Sequence, residues 1–97
     1  MKVRWTRPAL DDLLAIFRYV ARDNPDAALR LRDRLRAATA ALAEHPRLGR
    51  VVPEIGDESV REIVRGSYRI VYRVAREVHV VAVMEGHREM TDPSTDR

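Results

Sequence analysis

The sequence predicts an α+β domain in which an antiparallel helical hairpin packs on one face of a mostly antiparallel sheet. Three observations carry this. Two stretches with apolar residues at three-four spacing stand side by side, separated only by Arg22-Asp23-Asn24-Pro25. Three short runs rich in valine, isoleucine and tyrosine follow them, and a Gly66-Ser67 corner joins the first two of these runs. With Val3-Arg4-Trp5 as a short leading strand, the order is β-α-α-β-β-β.

The first helix is announced by Thr6 as its cap, Pro8 in its first turn, and Asp11 and Asp12, expected near the positive end of the helix dipole. Leu10, Leu13, Leu14, Phe17, Val20 and Ala21 form one apolar stripe, expected to be buried. Burying its five large members would contribute about 10 kcal/mol gross, before chain entropy is set against it. Asn24 caps the second helix and Pro25 opens it; Ala28, Leu31, Leu35, Ala38 and Leu42 repeat along its inner side. Alanines 37, 38, 40 and 41 allow close helix approach, and His45-Pro46 ends the helix. Residues 47–59 hold Gly49, Pro53 and Gly56 without either periodicity and read as a loop, long enough for a compact domain to suggest function. Strands are expected at 60–65, 68–74 and 78–84, the last two joined by Ala75-Arg76-Glu77. Residues 1–90 make the domain, and 91–97 a polar, frayed tail. The sheet face away from the helices is expected to be solvated or covered by a partner.

Ninety-seven residues allow one hydrophobic core. Cysteine is absent, which removes disulfides and thiolate metal sites and suits a cytoplasmic setting. With no long uncharged apolar run and no signal-peptide pattern, the expectation is a soluble, unprocessed protein that does not meet a membrane. The net charge is only +3, but of the 18 basic residues all except Lys2 are arginine. Arginine grips phosphate or carboxylate through a planar fork, which lysine lacks. Lysine-to-arginine drift in a GC-rich genome would give the same bias.

Arginines alternate along the strands. Arg61 with Arg65, and Arg69 with Arg73, should project together, because side chains two apart share a sheet face. His87 and Arg88 close the last strand. The expectation is a basic sheet surface that meets something anionic.

Several short pieces then carry a family likeness: Ala9-x-x-Asp12-Leu13 with Ile16 and Tyr19; Pro25 with Ala28; Leu42-x-x-x-Pro46-x-x-Gly49; Arg61 followed by Tyr68-Arg69-Ile70-Val71-Tyr72; and Glu85-Gly86-His87-Arg88. In this order they resemble the RelE/ParE superfamily of bacterial type II toxins, and its ParE branch more closely. The resemblance spans roughly residues 2–90. It implies a toxin paired with a ParD-like antitoxin in a hetero-oligomer, as in plasmid-stabilisation systems. ParE-like members poison DNA gyrase by trapping its cleaved-DNA complex, and RelE-like members cut messenger RNA on the ribosome. One scaffold serves both, so the fold does not choose between them.

A ribonuclease needs a base for the ribose hydroxyl, cations for the phosphorane and an acid for the leaving oxygen. Glu54, Arg61, Arg65 and His87 are the candidates for that chemistry. Arg88 stands where some RelE-like nucleases resemble one another in carrying a tyrosine, and their lysine-rich loop is missing. The leading expectation is therefore a binding-type gyrase inhibitor with no catalytic residues and no cofactor, Arg61, Arg65, Arg69, Arg73, His87 and Arg88 forming its target surface. Each also has a plainer reading. His87 could bond Glu85 or Glu89, Arg61 and Arg69 could pair with Glu62 or Glu77, and Tyr68 and Tyr72 read as core or core rim. His45 and His79 read as incidental, and no histidine–carboxylate spacing suggests a metal site. Tyr19 and Leu29 lie off their helical stripes and are candidate antitoxin anchors, to which an acidic antitoxin tail on the basic sheet would add.

Overall fold

The computed structural model describes residues 1–86. Its elements follow in the order β1 (Val3–Trp5), α1 (Arg7–Ala21), α2 (Pro25–Ala40), a 3-10 turn (Ala41–Ala43), β2 (Arg50–Val51), β3 (Val60–Arg65), β4 (Tyr68–Val74) and β5 (Val78–Glu85). The five strands form one sheet in the order β1-β5-β4-β3-β2; β1 runs parallel to β5 and every other pair is antiparallel. The predicted α+β class and the helical hairpin are therefore present.

Local chemistry sets the helix ends. The Thr6 hydroxyl accepts from the Ala9 amide at 3.4 Å and donates to the Val80 carbonyl at 2.8 Å, so one side chain both starts α1 and ties it to β5. Asn24 starts α2 by accepting from the Ala27 amide at 3.0 Å. Asp11 and Asp12 are not in the first turn of α1, because the helix opens at Arg7. Asp12 instead accepts from the Val83 amide at 3.0 Å, just past a bulge where the register jumps from Val71↔Ala82 to Tyr72↔Val80.

The core lies between the helices and one sheet face, from Ala9, Leu35, Ala38 and Leu42 to Ile63, Ile70, Tyr72, Val78, Val80 and Val83. In α1 the buried line is shifted from the expected stripe. Ala9 is fully buried with Leu13 and Ile16 packed beside it, whereas Leu10 and Leu14 stay 47 % and 46 % exposed. A helix lying on a sheet beside one neighbour covers a stripe roughly 100° wide, and the apolar arc of α1 is wider than that.

The segment 47–59 is more than a loop. Arg50 and Val51 pair with Glu62 and Arg61 as the sheet's edge strand, and Val52 and Ile55 fold over the outer sheet face onto Val60 and Val71. That face is thus partly covered by the chain itself. At Gly66 φ is +61° while among the described residues no non-glycine residue has positive φ, so the β3–β4 corner has the backbone pattern of a type II′ turn, which calls for glycine first. Among the described residues no helix is long and apolar enough to cross a membrane.

Candidate functional site

Strand register decides where the arginines go. The two-residue corner places Arg65 opposite Tyr68, Ile63 opposite Ile70 and Arg61 opposite Tyr72. Ile63, Ile70 and Tyr72 belong to the core beneath the helices, so Arg61 and Arg65 lie on the helix side of the sheet. Arg69 and Arg73 lie on the outer side, in register with Val64 and Val60. The expected single basic face is therefore corrected: each pair shares a face, but the two pairs point to opposite sides.

Two of the four are also held by buried or partly buried hydrogen bonds within the chain. Arg61 donates from Nη1 to the Gly49 carbonyl at 2.9 Å, and its buried Nε has no hydrogen-bond partner among the described residues. The Gly49 amide donates to the Tyr72 hydroxyl at 2.9 Å. A Cβ on Gly49 would sit 2.4 Å from the Glu62 carbonyl oxygen, so only glycine admits this approach. Arg61, Gly49 and Tyr72 form a lock that seats the edge strand β2. Burial raises the pKa of Tyr72 and outweighs the opposing pull of the Gly49 amide and Arg61.

Arg69 is held more tightly still. Its side chain is 8 % exposed and contacts Glu62, whose side chain is fully buried, and Glu54 at 3.1 Å. Glu62 accepts from the Arg69 Nε at 2.8 Å, from its Nη2, and from the Arg50 Nε at 2.6 Å. Burial acts to lower the pKa of Arg69, but the hydrogen bonds and charges of Glu62 and Glu54 outweigh it and hold the pKa above the ordinary value. This network floors a cavity of about 310 Å³ on the outer face, lined by Arg50, Glu54, Glu62, Val64, Ser67 and Arg69 together with two glycines. Sequence reasoning offered Glu62 only as a surface partner and did not see it as the buried centre.

The remaining candidates are dispersed. Arg73 is 44 % exposed, 3.7 Å from Asp57 and 3.4 Å from the Ser59 hydroxyl. Arg65 donates to the carbonyl of its own neighbour Val64 at 2.8 Å. His87 and Arg88 lie outside the described residues. Glu54, on the outer face with Arg69, is separated by the sheet from Arg61 and Arg65, so the described members of the ribonuclease set do not converge. Among the described residues no cluster of three or more histidines and carboxylates could hold a metal ion.

The helix side offers a second surface. A groove of about 640 Å³ runs between β1, α1 and α2, lined by Val3, Trp5, Leu10, Leu13, Arg32, Arg36 and their neighbours. It continues through Leu10, Leu13 and Arg32 into a hollow of about 270 Å³ bounded by Leu14 and Phe17. Tyr19 and Leu29 are exposed as expected, at 70 % and 41 %, but do not line this groove. Tyr19 lies close enough to Tyr68 to act on its phenol, whose pKa is raised by burial first and then by Glu85 and Tyr19. The signal for the groove was in the sequence: the apolar arc of α1 holds more large residues than one sheet contact covers.

Comparison with known proteins assigns the scaffold. Residues 3–90 match the family described as ParE toxin of type II toxin-antitoxin system, parDE. Y4kP of Sinorhizobium fredii, a protein named as a toxin, is 40 % identical over 93 residues, which cover 91 % of each chain. Toxin RelE2 of Caulobacter vibrioides is 39 % identical over 89 residues, covering 90 % of this chain and 97 % of that one. Among solved structures, the chromosomal ParDE system from P. aeruginosa matches with a TM-score of 0.71 and 26 % identity, over 88 % of this chain and 95 % of that one. The toxin–antitoxin complex RelBE2 from Mycobacterium tuberculosis shares the fold at a TM-score of 0.56 and 22 % identity, over 87 % and 88 %. With the family match running over nearly its full length, the chain belongs to the ParE toxin family of type II toxin–antitoxin systems.

Proposed function

We propose that this toxin acts by binding, without chemistry of its own, that DNA gyrase held in its cleaved-DNA state is the target, and that a ParD-like antitoxin neutralises it. The observation that carries binding over catalysis is that Glu54, tied to Arg69 on the outer face, is separated by the sheet from Arg61 and Arg65. A cation that stabilises a phosphorane must be free to meet developing negative charge. Arg69 already faces a fully buried carboxylate and a second one beside it. Arg61 is likewise spent on the Gly49 carbonyl on the far side of the sheet. The family match adds support for the gyrase branch. A relative bearing the RelE name makes ribosome-dependent cleavage of messenger RNA the reading to test against it.

The antitoxin reading rests on the apolar groove. Leu10 and Leu14 are one helical turn apart and half exposed, Phe17 follows one turn later, and Arg32 and Arg36 border them. An amphipathic antitoxin segment with acidic flanks fits that pattern. Two solved relatives of this fold are toxin–antitoxin systems. The deciding experiment supplies purified toxin to gyrase with supercoiled DNA and, in parallel, to translating ribosomes. Accumulated cleaved DNA with intact message supports the proposal. Cut message with no cleaved DNA removes it in favour of the nuclease.

A further inference from the structure

Ion pairs divide the arginines of this chain by place. On the outer sheet face Arg4, Arg50, Arg69 and Arg73 each meet a carboxylate, from Glu77, Glu62, Glu54 or Asp57. At the β3–β4 corner, on the helix side, the pattern is reversed. Arg65 lies opposite Tyr68, and Tyr68 opposite Glu85, so the three form a row across β3, β4 and β5. Ile63, Ile70 and Val83, two residues away along each strand, belong to the core, which puts the row on the face beneath the helices. Arg34 reaches the same corner from α2, its Nη1 3.6 Å from where a Cβ on Gly66 would stand. Arg30 precedes it by one helical turn on the same side of α2. Tyr19, the most exposed of the large apolar side chains among the described residues, stands close to Tyr68.

Among the described residues Arg30, Arg34 and Arg65 make no ion pair. Asp33, beside Arg34 in the chain, is held by Arg32 at 2.9 Å. Three guanidinium charges against the Glu85 carboxylate leave this corner a net charge of +2. Like charges one helical turn apart disfavour the helix that carries them, so folding does not account for Arg30 and Arg34.

We infer that the corner formed by Tyr19, Arg34, Arg65 and Tyr68 is the surface through which the toxin grips an acidic segment of its protein target. An unpaired guanidinium fork takes a carboxylate or a phosphate at two points, and the two tyrosines decide between them. Tyr68 packs against the core, so it offers no open face on which a base could stack. Tyrosine and arginine together are the side chains that anchor protein–protein contacts. The two-residue turn between paired strands holds the corner ready, so binding orders little. None of the four residues lines the groove assigned to the antitoxin. The inference rests on the reading that the toxin acts by binding a protein, and holds whichever protein that is.

The test is the toxin level, read by immunoblot, at which cells induced to make the protein stop growing. R34E/R65E and Y19A should each raise it at least about 10-fold, the loss of one interface anchor. R34K/R65K keeps both charges and should recover most of that loss. R7A/R76A, which removes two exposed arginines at the start of α1 and just past β4, should stay within about 3-fold of the parent. Because Arg34 and Arg65 make no ion pair among the described residues and Tyr19 is exposed, the purified variants should melt within about 3 °C of the parent and bind the antitoxin within about 3-fold. A parent that does not arrest growth, or R34E/R65E arresting it at the parent's level, overturns the inference. So does an antitoxin affinity that falls in step with toxicity, which would give the corner to the antitoxin. So does single-stranded DNA of about 10 nucleotides binding more tightly in fluorescence anisotropy than a glutamate-rich peptide of about 10 residues, with that binding lost in R34E/R65E, which would give the corner to nucleic acid. The gyrase and ribosome assays use the parent alone, so failure of the binding reading shows there and failure of this surface shows in the variants.

Discussion

Replacing Glu62 with glutamine tests whether the outer-face network is structural. The Glu62 side chain is fully buried and accepts from both Arg69 and Arg50, so E62Q leaves the nearly buried Arg69 with Glu54 as its remaining carboxylate among these contacts. Removing one partner of a buried ion pair costs about 3–5 kcal/mol. A domain of this size has about 5–15 kcal/mol in all, and each kcal/mol moves its melting temperature by about 4–8 °C. E62Q should therefore melt at least about 12 °C below the parent. The double variant E62L/R69M removes both charges and should recover most of that loss, because a packed apolar pair replaces a buried ion pair at little cost. Urea titration with a spectroscopic readout on each purified variant supplies the free energies. An E62Q loss under about 1 kcal/mol, or a double variant as unstable as the single one, would refute the reasoning. Activity adds a second reading: if Arg69 serves only the fold, E62L/R69M retains the parent's toxicity once folded.

Other substitutions address the remaining parts. In G49A the new Cβ would press on the Glu62 carbonyl at 2.4 Å and on the Tyr72 hydroxyl at 2.8 Å, so strand β2 must shift and the Arg61 and Tyr72 hydrogen bonds go with it. The expected cost is about 2–4 kcal/mol, read by urea titration, with faster amide exchange at residues 50 and 51. L10A/L14A removes two half-exposed leucines, each worth about 1 kcal/mol of further burial, so antitoxin affinity measured by calorimetry should fall about 30-fold. Acid unfolding should also carry a signature. The Ser59 amide lowers the pKa of Asp57, and the Arg4 hydrogen bond lowers that of Glu77. The stability these groups lend is full above their unfolded pKa values and is lost as pH falls through the lower folded ones. D57N/E77Q should therefore show a shallower loss of melting temperature than the parent below about pH 4.5.

Much of this architecture was legible before any coordinates. Thr6 and Asn24 cap where a hydroxyl and an amide before a periodic run should, and Gly66-Ser67 turns as its composition demands. The arginine faces were also legible, but only by following the turn one step further. A two-residue corner sets 65 against 68, and counting outward places 61 and 65 with 68, 70 and 72. Alternation within each strand fixes which residues share a face; only register says whether two strands agree. The exposed line of α1 was harder to read, because periodicity reports that an arc is apolar and not how much of it a neighbour covers. Glu62 was hardest. A glutamate in a strand ordinarily reads as solvated, and its burial depends on Arg69, Arg50 and Glu54 arriving from two other segments.

The way the charges are spent bears on how one scaffold can serve different targets. Arg61 and Arg69 are each used to fasten the 47–59 segment, one from either side of the sheet. Glu54 comes from that segment, and Glu62 links it to β3 through Arg50, so the network doubles as a clasp on the edge strand. A toxin that works by shape gains from such fixation, since ordering a loop on contact would subtract from binding. A nuclease on the same frame would have to free these guanidinium groups, and the segment would then need other anchors. The carboxylates at 54 and 62 thus commit Arg50 and Arg69 to architecture, the Gly49 carbonyl does the same for Arg61, and the half-exposed line of α1 is left open for contact.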